Sequence, residues 1–536
     1  MTLRLLLALA GLQLLTAAPL PWEPVARPWA WLQASTDLGV LMLLSCAMAH
    51  SAAPRRLALA ALTALTLLVP LYRFGETLMP VFYSKSFEPW VDLLEVPGLI
   101  HLVSHDRGPL VQSGMAVGAL AAVTLVVWLT AVLWRVVLRA CAGRRFALVT
   151  LLVTQAAFAA AWVVAEGTGG RVDILRPCML RAAVDDVGAT LQNKRWHGEV
   201  AERLRAADYE LAYTPKDLGK LRGADVYLLF VESYGRSVVS TNAEAGAAWQ
   251  GWLREHESDL NAAGWQAISG WMAPSVHGGG SSWAHLEFLS GIKVEDRRAF
   301  DEVLGSTVTP LPAIARAAGY DTVFVQPAMP RPWPEAKILG FERHLFQPAF
   351  AYDGYIYHWG RMPDQFALEH VLTEVVPNHT KPLFLQYVSV SSHAPFRLLP
   401  PYHDDWTRAG DAHAFDPPAA IFDITWANYT SHPGVADAYL ACLEYSLKVA
   451  FGFTLRLQSP SLVFVMGDHQ PPIHCPDVTA RHHDVPVHIV SNRPELLQPW
   501  LGRGFTAGIV PDAEGASASA SRFIFEFLRA YGEKPR

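Results

Sequence analysis

Two short apolar runs of this chain end in hard, charged side chains: Asp225-Val-Tyr-Leu-Leu-Phe-Val-Glu232 and Ser461-Leu-Val-Phe-Val-Met-Gly-Asp-His469. β-Branched runs without alternation fit parallel strands that are covered by helices on both faces. Ligands of open α/β sheets bind at the carboxyl ends of the strands, so Glu232 and the Asp468/His469 pair are expected on one rim of one sheet. Two carboxylates and an imidazole suit a divalent cation. Taken singly, each could equally be a strand-end polar group facing water. The loop Ser275-Val-His-Gly-Gly-Gly-Ser-Ser-Trp-Ala-His-Leu-Glu-Phe-Leu-Ser-Gly291 sharpens the choice. Its three glycines let the backbone approach a ligand closely. The apolar run after Ser281 puts that serine at the start of a helix, where the dipole and free N–H groups stabilise an anion such as phosphate. The chemistry this predicts is a serine nucleophile beside a cation. For the loop by itself, a flexible turn is the plainer alternative.

The elements that must position these groups follow from Asp225 onward. Strand-like runs at Val226–Val231, Thr322–Val325, Leu383–Val390, Leu462–Met466 and Val485–Val490 alternate with helical stretches. This is the rhythm of an α/β domain with a mainly parallel central sheet. Gly515–Ser521 reads as a small-residue loop and Arg522–Tyr531 as a terminal amphipathic helix, and there is no internal repeat.

At 536 residues, the chain is too long for one ordinary domain, and its 51% hydrophobic and 17% charged composition is unevenly spread. Five apolar segments, at 3–20, 29–50, 56–74, 110–134 and 145–165, are long enough or nearly so to span a bilayer. Ala17-Ala18-Pro19 would also suit a signal cleavage site, but the four further spans favour retention of the first segment. Arg55 and Arg56, then Arg135, Arg139, Arg144 and Arg145, assign the loops that carry them to the cytoplasm, with the Arg4 terminus. Five spans then put everything after about residue 166 outside, together with the aromatic-rich loop from about 75 to 109. The expected organisation is a transmembrane domain over 1–166, a helical connector at the membrane surface over 167–222 and the α/β domain over 223–536. The helices either only anchor the domain or also admit a lipid to it. A net charge of -6 gives no support to nucleic-acid binding. Cys46, Cys141, Cys178, Cys442 and Cys475 form no CxxC pattern, and a disulfide between two of the last three stays open.

The order of these motifs resembles the alkaline phosphatase and sulfatase superfamily. It runs from a strand-end Glu232 through Gly280-Ser281 with Leu289-Ser290-Gly291 and Ser392-His393-Ala394-Pro395 to Gly467-Asp468-His469. With apolar helices ahead of an outer domain, the chain is similar to the membrane-anchored branch of lipoteichoic acid synthases and lipid A phosphoethanolamine transferases. In sulfatases the nucleophile lies nine residues before a Ser/Thr-Gly pair, and counting back from Ser290 reaches Ser281. The Cys-x-Pro-x-Arg pattern is absent, with Ser281 and His285 at its ends, and Ser281 stands where the transferases have threonine. The resemblance implies Glu232, Ser281, Asp468 and His469 as ligands of Zn²⁺ or Mn²⁺, with Ser281 as nucleophile. It implies His393 as a residue that contacts the substrate phosphate or protonates the leaving group. His483, or His482 beside it, corresponds to a second such histidine, and either could instead hold a second zinc. Arg331 and Trp333 fall near the place of head-group contacts, while His277 and His285 read as structural. The implied protein sits in a bacterial inner membrane by several passes, with its catalytic domain on the periplasmic or extracellular side. It would move a phosphoglycerol- or phosphoethanolamine-type head group from a phospholipid donor to a glycan or lipid acceptor. A hydrolase of the same superfamily and a non-catalytic lipid sensor are the alternatives.

Overall fold

The computed structural model of the chain describes residues 2–17, 33–51, 54–82, 89–93, 109–143, 175–176, 178–192, 194–240, 243–331, 333–357, 362–425, 432–473 and 483–533, with a few isolated positions between them. The chain divides into two compact units, Met1–Pro80 with Lys85–Arg195, and Val81–Ser84 with Trp196–Arg536. The division falls inside the expected connector, in the first turn of its helix Lys194–Ala212, which follows the helix Met179–Gln192.

In the first unit, the stretches Arg55–Glu76 and Pro109–Cys141 are helices long and apolar enough to cross a membrane, with mean hydropathies of 1.8 and 2.4. Leu3–Ala17 and Thr36–Ala49 are shorter apolar helices, and most of the fifth expected span, 145–165, lies outside the described residues. Leu12, Leu41, Leu62 and Trp134 form the buried centre of this unit. The Trp134 indole donates to Thr66 Oγ1 at 2.7 Å, so its polar edge is satisfied in an apolar setting. Leu110, Val117 and Leu120 are more than two-thirds exposed, an apolar surface that suits contact with hydrocarbon.

The second unit is built on a nine-stranded sheet. In chain order, its strands are β1 (Asp225–Val231), β2 (Gln266–Ala273), β3 (Asp321–Gln326), β4 (Arg343–Phe346), β5 (Leu383–Val388), β6 (Ser461–Gly467), β7 (Val485–Ser491), β8 (Phe505–Ala507) and β9 (Ser517–Ser519). Their spatial order is β8-β2-β7-β6-β1-β5-β3-β4, with β9 beside β2. The block β6-β1-β5-β3-β4 is parallel throughout. β1 shows why its sequence lacks alternation. Val226, Leu228 and Phe230 enter one buried cluster, with Phe288 and the terminal helix Phe523–Tyr531, while Tyr227, Leu229 and Val231 enter the opposite one, with Trp249 and the helix Val435–Thr454. Both faces are core, so every position is apolar.

One strand of the mainly parallel sheet departs from its common direction, and one expectation needs correction. Val485–Val490 is a strand, but β7 runs antiparallel to both β6 and β2. Its amino-terminal end therefore lies on the rim where β6 ends, which carries His483 there. Gly515–Ser521 is not all loop, because Ser517–Ser519 pairs with β2 as an edge strand. β2 itself escapes a search for apolar runs because Ser269 and Gly270 interrupt it. Gly270 serves packing: a β-carbon there would lie 2.5 Å from the Gly504 carbonyl oxygen, at the edge where β8 docks. Cys178 and Cys442 are free thiols, and Cys475 lies outside the described residues.

Candidate active site

β1 and β6 are parallel neighbours, with Gly467 opposite Val231, so the residues after each strand meet on one rim. Glu232, Asp468 and His469 are buried there, and one ligating atom from each lies within 4.8 Å of the others. His469 Nε2 is 3.5 Å from Glu232 Oε1 and 3.6 Å from Asp468 Oδ2. The close approach has a sequence cause in Gly467, where a β-carbon would overlap the Tyr234 carbonyl oxygen. Ser233 turns the chain after Glu232 in a left-handed conformation, φ 59°. A non-glycine residue in that conformation is held by its surroundings. Its N–H donates to Asp468 Oδ1 at 2.9 Å and its hydroxyl to Glu232 Oε1 at 2.8 Å.

The glycine loop delivers Ser281 to this cluster. β2 ends on the same rim, and Gly278 and Gly280 take positive φ values of 71° and 80°. The helix Ser281–Ser290 then starts at the serine. Gly280 at its N-cap brings no capping side chain, which leaves first-turn amides for an anion. Ser281 Oγ donates to Glu232 Oε2 at 3.1 Å and lies 3.1 Å from His469 Nε2. The sequence-based quartet Glu232, Ser281, Asp468 and His469 is thus brought together.

Three histidines share one arrangement. Nδ1 of His469 faces the Gln470 carbonyl at 2.8 Å, Nδ1 of His393 the Ala394 carbonyl at 2.7 Å, and Nδ1 of His483 the Val276 carbonyl at 3.2 Å. A carbonyl only accepts, so each ring carries its proton on Nδ1 when neutral and presents Nε2 as a base or ligand. His393 follows β5, and its charge acts on Glu232. His483 packs its ring 5.7 Å from that of His277. The next residue, Asp484, is anchored by Arg236 at 2.7 Å and Ser517 at 2.8 Å. His482 lies outside the described residues. Arg331 is exposed in the loop after β3, and Trp333 is half-buried with its ring 5.6 Å from Phe324.

Burial would raise the Glu232 carboxyl, but the His469 and His393 rings hold it below its usual range. Burial and the adjacent Glu232 push Asp468 up. Burial would lower His469, yet the two carboxylates beside it outweigh that and raise it. Two carboxylates in one buried place need positive charge. Asp468 Oδ2 is buried without a hydrogen-bond partner, so the cluster has an unmet demand that a cation would satisfy. The oxygen and nitrogen donors fit Zn²⁺ or Mn²⁺.

Residues 230–489 match the family model described as Sulfatase. These residues form a sulfatase-family domain. None of the curated proteins matches the chain in sequence. Among solved structures, the chain is similar to the lipoteichoic acid synthase LtaP from Listeria monocytogenes, with 13% identity over 57% of this chain and 72% of that one and a TM-score of 0.37. It is also similar to the Streptococcus pyogenes phosphoglycerol transferase GacH in complex with sn-glycerol-1-phosphate, with 14% identity over 62% and 91% and a TM-score of 0.37. The zinc complex of the C-terminal periplasmic domain of EptC from Escherichia coli is 14% identical over 58% and 82%, with a TM-score of 0.38.

The sulfatase-family domain also relies on residues that sequence reasoning passed over. Ser389 Oγ accepts from the Glu232 N–H at 2.9 Å and Ser392 Oγ donates to the Glu232 carbonyl at 2.7 Å, so the turn before His393 grips the Glu232 backbone. Asp364 holds that turn through the N–H groups of Val390 and Ser391, each at 2.9 Å. Glu287 holds the other side, accepting from Ser275 N–H at 3.0 Å and Val294 N–H at 3.4 Å. Burial pushes its carboxyl up to about 7. Between its ordinary value and about 7, the folded chain keeps a proton that the unfolded chain has released. Stability from this group is full below about 4.5 and is lost as the pH rises to about 7, by roughly 3 kcal/mol at about 1.4 kcal/mol per unit. Glu287→Gln should therefore flatten the fall in melting temperature between pH 5 and pH 8, followed by tryptophan fluorescence. An unchanged pH profile in the variant would show that Glu287 ionises freely.

Proposed function

We propose that the chain is a membrane-embedded, metal-dependent transferase that moves a phosphorus-containing head group, of phosphoglycerol or phosphoethanolamine type, from a phospholipid to an envelope glycan or lipid. The observation that carries this reading is Ser281 Oγ at 3.1 Å from both Glu232 and His469, at a helix N-terminus on the rim of a sulfatase-family domain. The apolar amino-terminal helices support work at a membrane, and the arginines flanking the five apolar segments of the sequence support an orientation with the domain outside.

Glu232, Asp468 and His469, with Ser281, would hold the ion. When bound, it would lower the pKa of the serine hydroxyl and neutralise charge that develops on the phosphoryl oxygens. Ser281 Oγ attacks phosphorus, the bond to the diacylglycerol oxygen breaks, and a phosphoserine ester of the head group remains. His393, with Nδ1 tied to Ala394, supplies a proton to the departing oxygen from Nε2. A glycan or lipid hydroxyl then attacks phosphorus from the vacated side, the bond from phosphorus to Ser281 Oγ breaks to return the serine, and His393 or His483 takes the proton of the attacking hydroxyl. Arg331 and Trp333, in the loop after β3, are proposed contacts of the head group. First-turn amides of the Ser281–Ser290 helix face the phosphoryl oxygens.

Full-length protein in native membranes, given phospholipids labelled in the head group, should transfer the label to a glycan or lipid acceptor. Release of all label as free head group would replace the transferase with a hydrolase. Intact donor after long incubation with Zn²⁺ and Mn²⁺ would support a non-catalytic lipid sensor.

A further inference from the structure

His285 lies four residues after Ser281 on the same helix, so both face the cluster from one turn to the next. The histidine is 3% exposed, and its ring is packed with its centroid 4.2 Å from that of Phe230. Its Nε2 is buried, has no hydrogen-bond partner and lies 3.9 Å from Asp468 Oδ2. Asp468 Oδ2 is the matching orphan on the other side. The second oxygen, Oδ1, already accepts two main-chain N–H groups, from Ser233 at 2.9 Å and His469 at 2.8 Å. Two buried polar atoms without partners, facing each other, are costly unless they serve one another or a ligand.

We propose that His285 is a positioning residue of the metal centre, whose Nε2–H holds Asp468 Oδ2 in place for the ion. The inference rests on the metal-centre reading above. A carboxylate oxygen has two lone-pair directions, and Oδ2 offers one to the ion and one to His285. Closing the gap to a hydrogen bond of about 2.9 Å takes a shift of about 1 Å. His285 falls outside the set of Glu232, Asp468 and His469 whose ligating atoms lie within 4.8 Å of each other. It therefore acts through Asp468 rather than as another ligand of the same ion. Groups of this kind orient metal-bound carboxylates and imidazoles, and their loss weakens binding by about 10–100-fold. One rigid helix would then carry both the nucleophile and the residue that aligns a ligand.

The test is the Zn²⁺ affinity of full-length protein in detergent, measured by competition with a chromogenic chelator, for wild type, His285→Phe, His285→Gln and Asp468→Asn. His285→Phe keeps the packing on Phe230 and should bind about 10–100-fold more weakly, at unchanged stoichiometry. His285→Gln keeps an N–H donor and should recover most of that loss. If His285→Phe does not fold, His285→Leu is read against His285→Gln in its place. The melting temperature of metal-free protein reports packing separately. Wild-type affinity in His285→Phe, with binding lost in Asp468→Asn, would overturn this inference alone. A loss of one bound ion from two at unchanged affinity would also overturn it, by making His285 a ligand of a second ion. No binding by wild type would overturn the metal centre and this inference together.

Discussion

Ser281→Ala should reduce head-group transfer by at least about 10³-fold while the protein remains folded. The hydroxyl is the atom between Glu232 and His469, at 3.1 Å from each, and no neighbouring oxygen shares that geometry among the described contacts. Its contribution to stability is small, because Ser281 is half-buried and two hydrogen bonds of this type are worth about 1 kcal/mol each. Ser282→Ala should keep activity within about threefold, since that hydroxyl lies on another face of the first helical turn. Turnover of labelled phospholipid and a thermal melt on the same preparations separate the two effects. Full activity in Ser281→Ala would remove the serine from the chemistry.

Asp468→Asn and Glu232→Ala should each lower the affinity for Zn²⁺ or Mn²⁺ by at least about 100-fold, with activity lost in parallel. The asparagine is the more informative variant. Asp468→Ala would strand the N–H groups of Ser233 and His469, which both donate to Oδ1, at a cost of about 1–3 kcal/mol per buried donor. Asp468→Asn keeps an oxygen for them and removes the charge that the ion needs. Equilibrium dialysis of full-length protein in detergent, with metal counted by mass spectrometry, reads the outcome directly. Full metal content in both variants would place the ion elsewhere.

The parts of the site that were legible in the sequence are those whose cause is local. β1 and β6 are buried on both faces, so their composition declared them, and the charged residues that end them could be placed on one rim. Ser281 was legible through its nine-residue spacing to Ser290-Gly291 and the order of the motifs around it, since the glycines before it suit a flexible turn as well. What stayed hidden depends on pairings distant in the chain. Ser389 and Ser392 grip Glu232 across about 160 residues, and only the register of β1 with β5 reveals it. Asp364 begins a helix like many aspartates, and its hold on the His393 turn requires the fold. β2 was masked by Gly270, and the direction of β7 cannot be read from its residues, because an all-buried strand looks the same either way. His285 read as structural, and its facing orphan on Asp468 appears only once the helix is docked.

The central claim is that Ser281 carries the head group between donor and acceptor. It is tested most directly by mixing full-length, metal-loaded protein with donor phospholipid and no acceptor, quenching in acid and mapping the digest by mass spectrometry. The added mass of the phosphorylated head group is expected on the peptide containing Ser281, and none on Ser281→Ala. Turnover without an adduct on that peptide, or an adduct on Ser282, would contradict it.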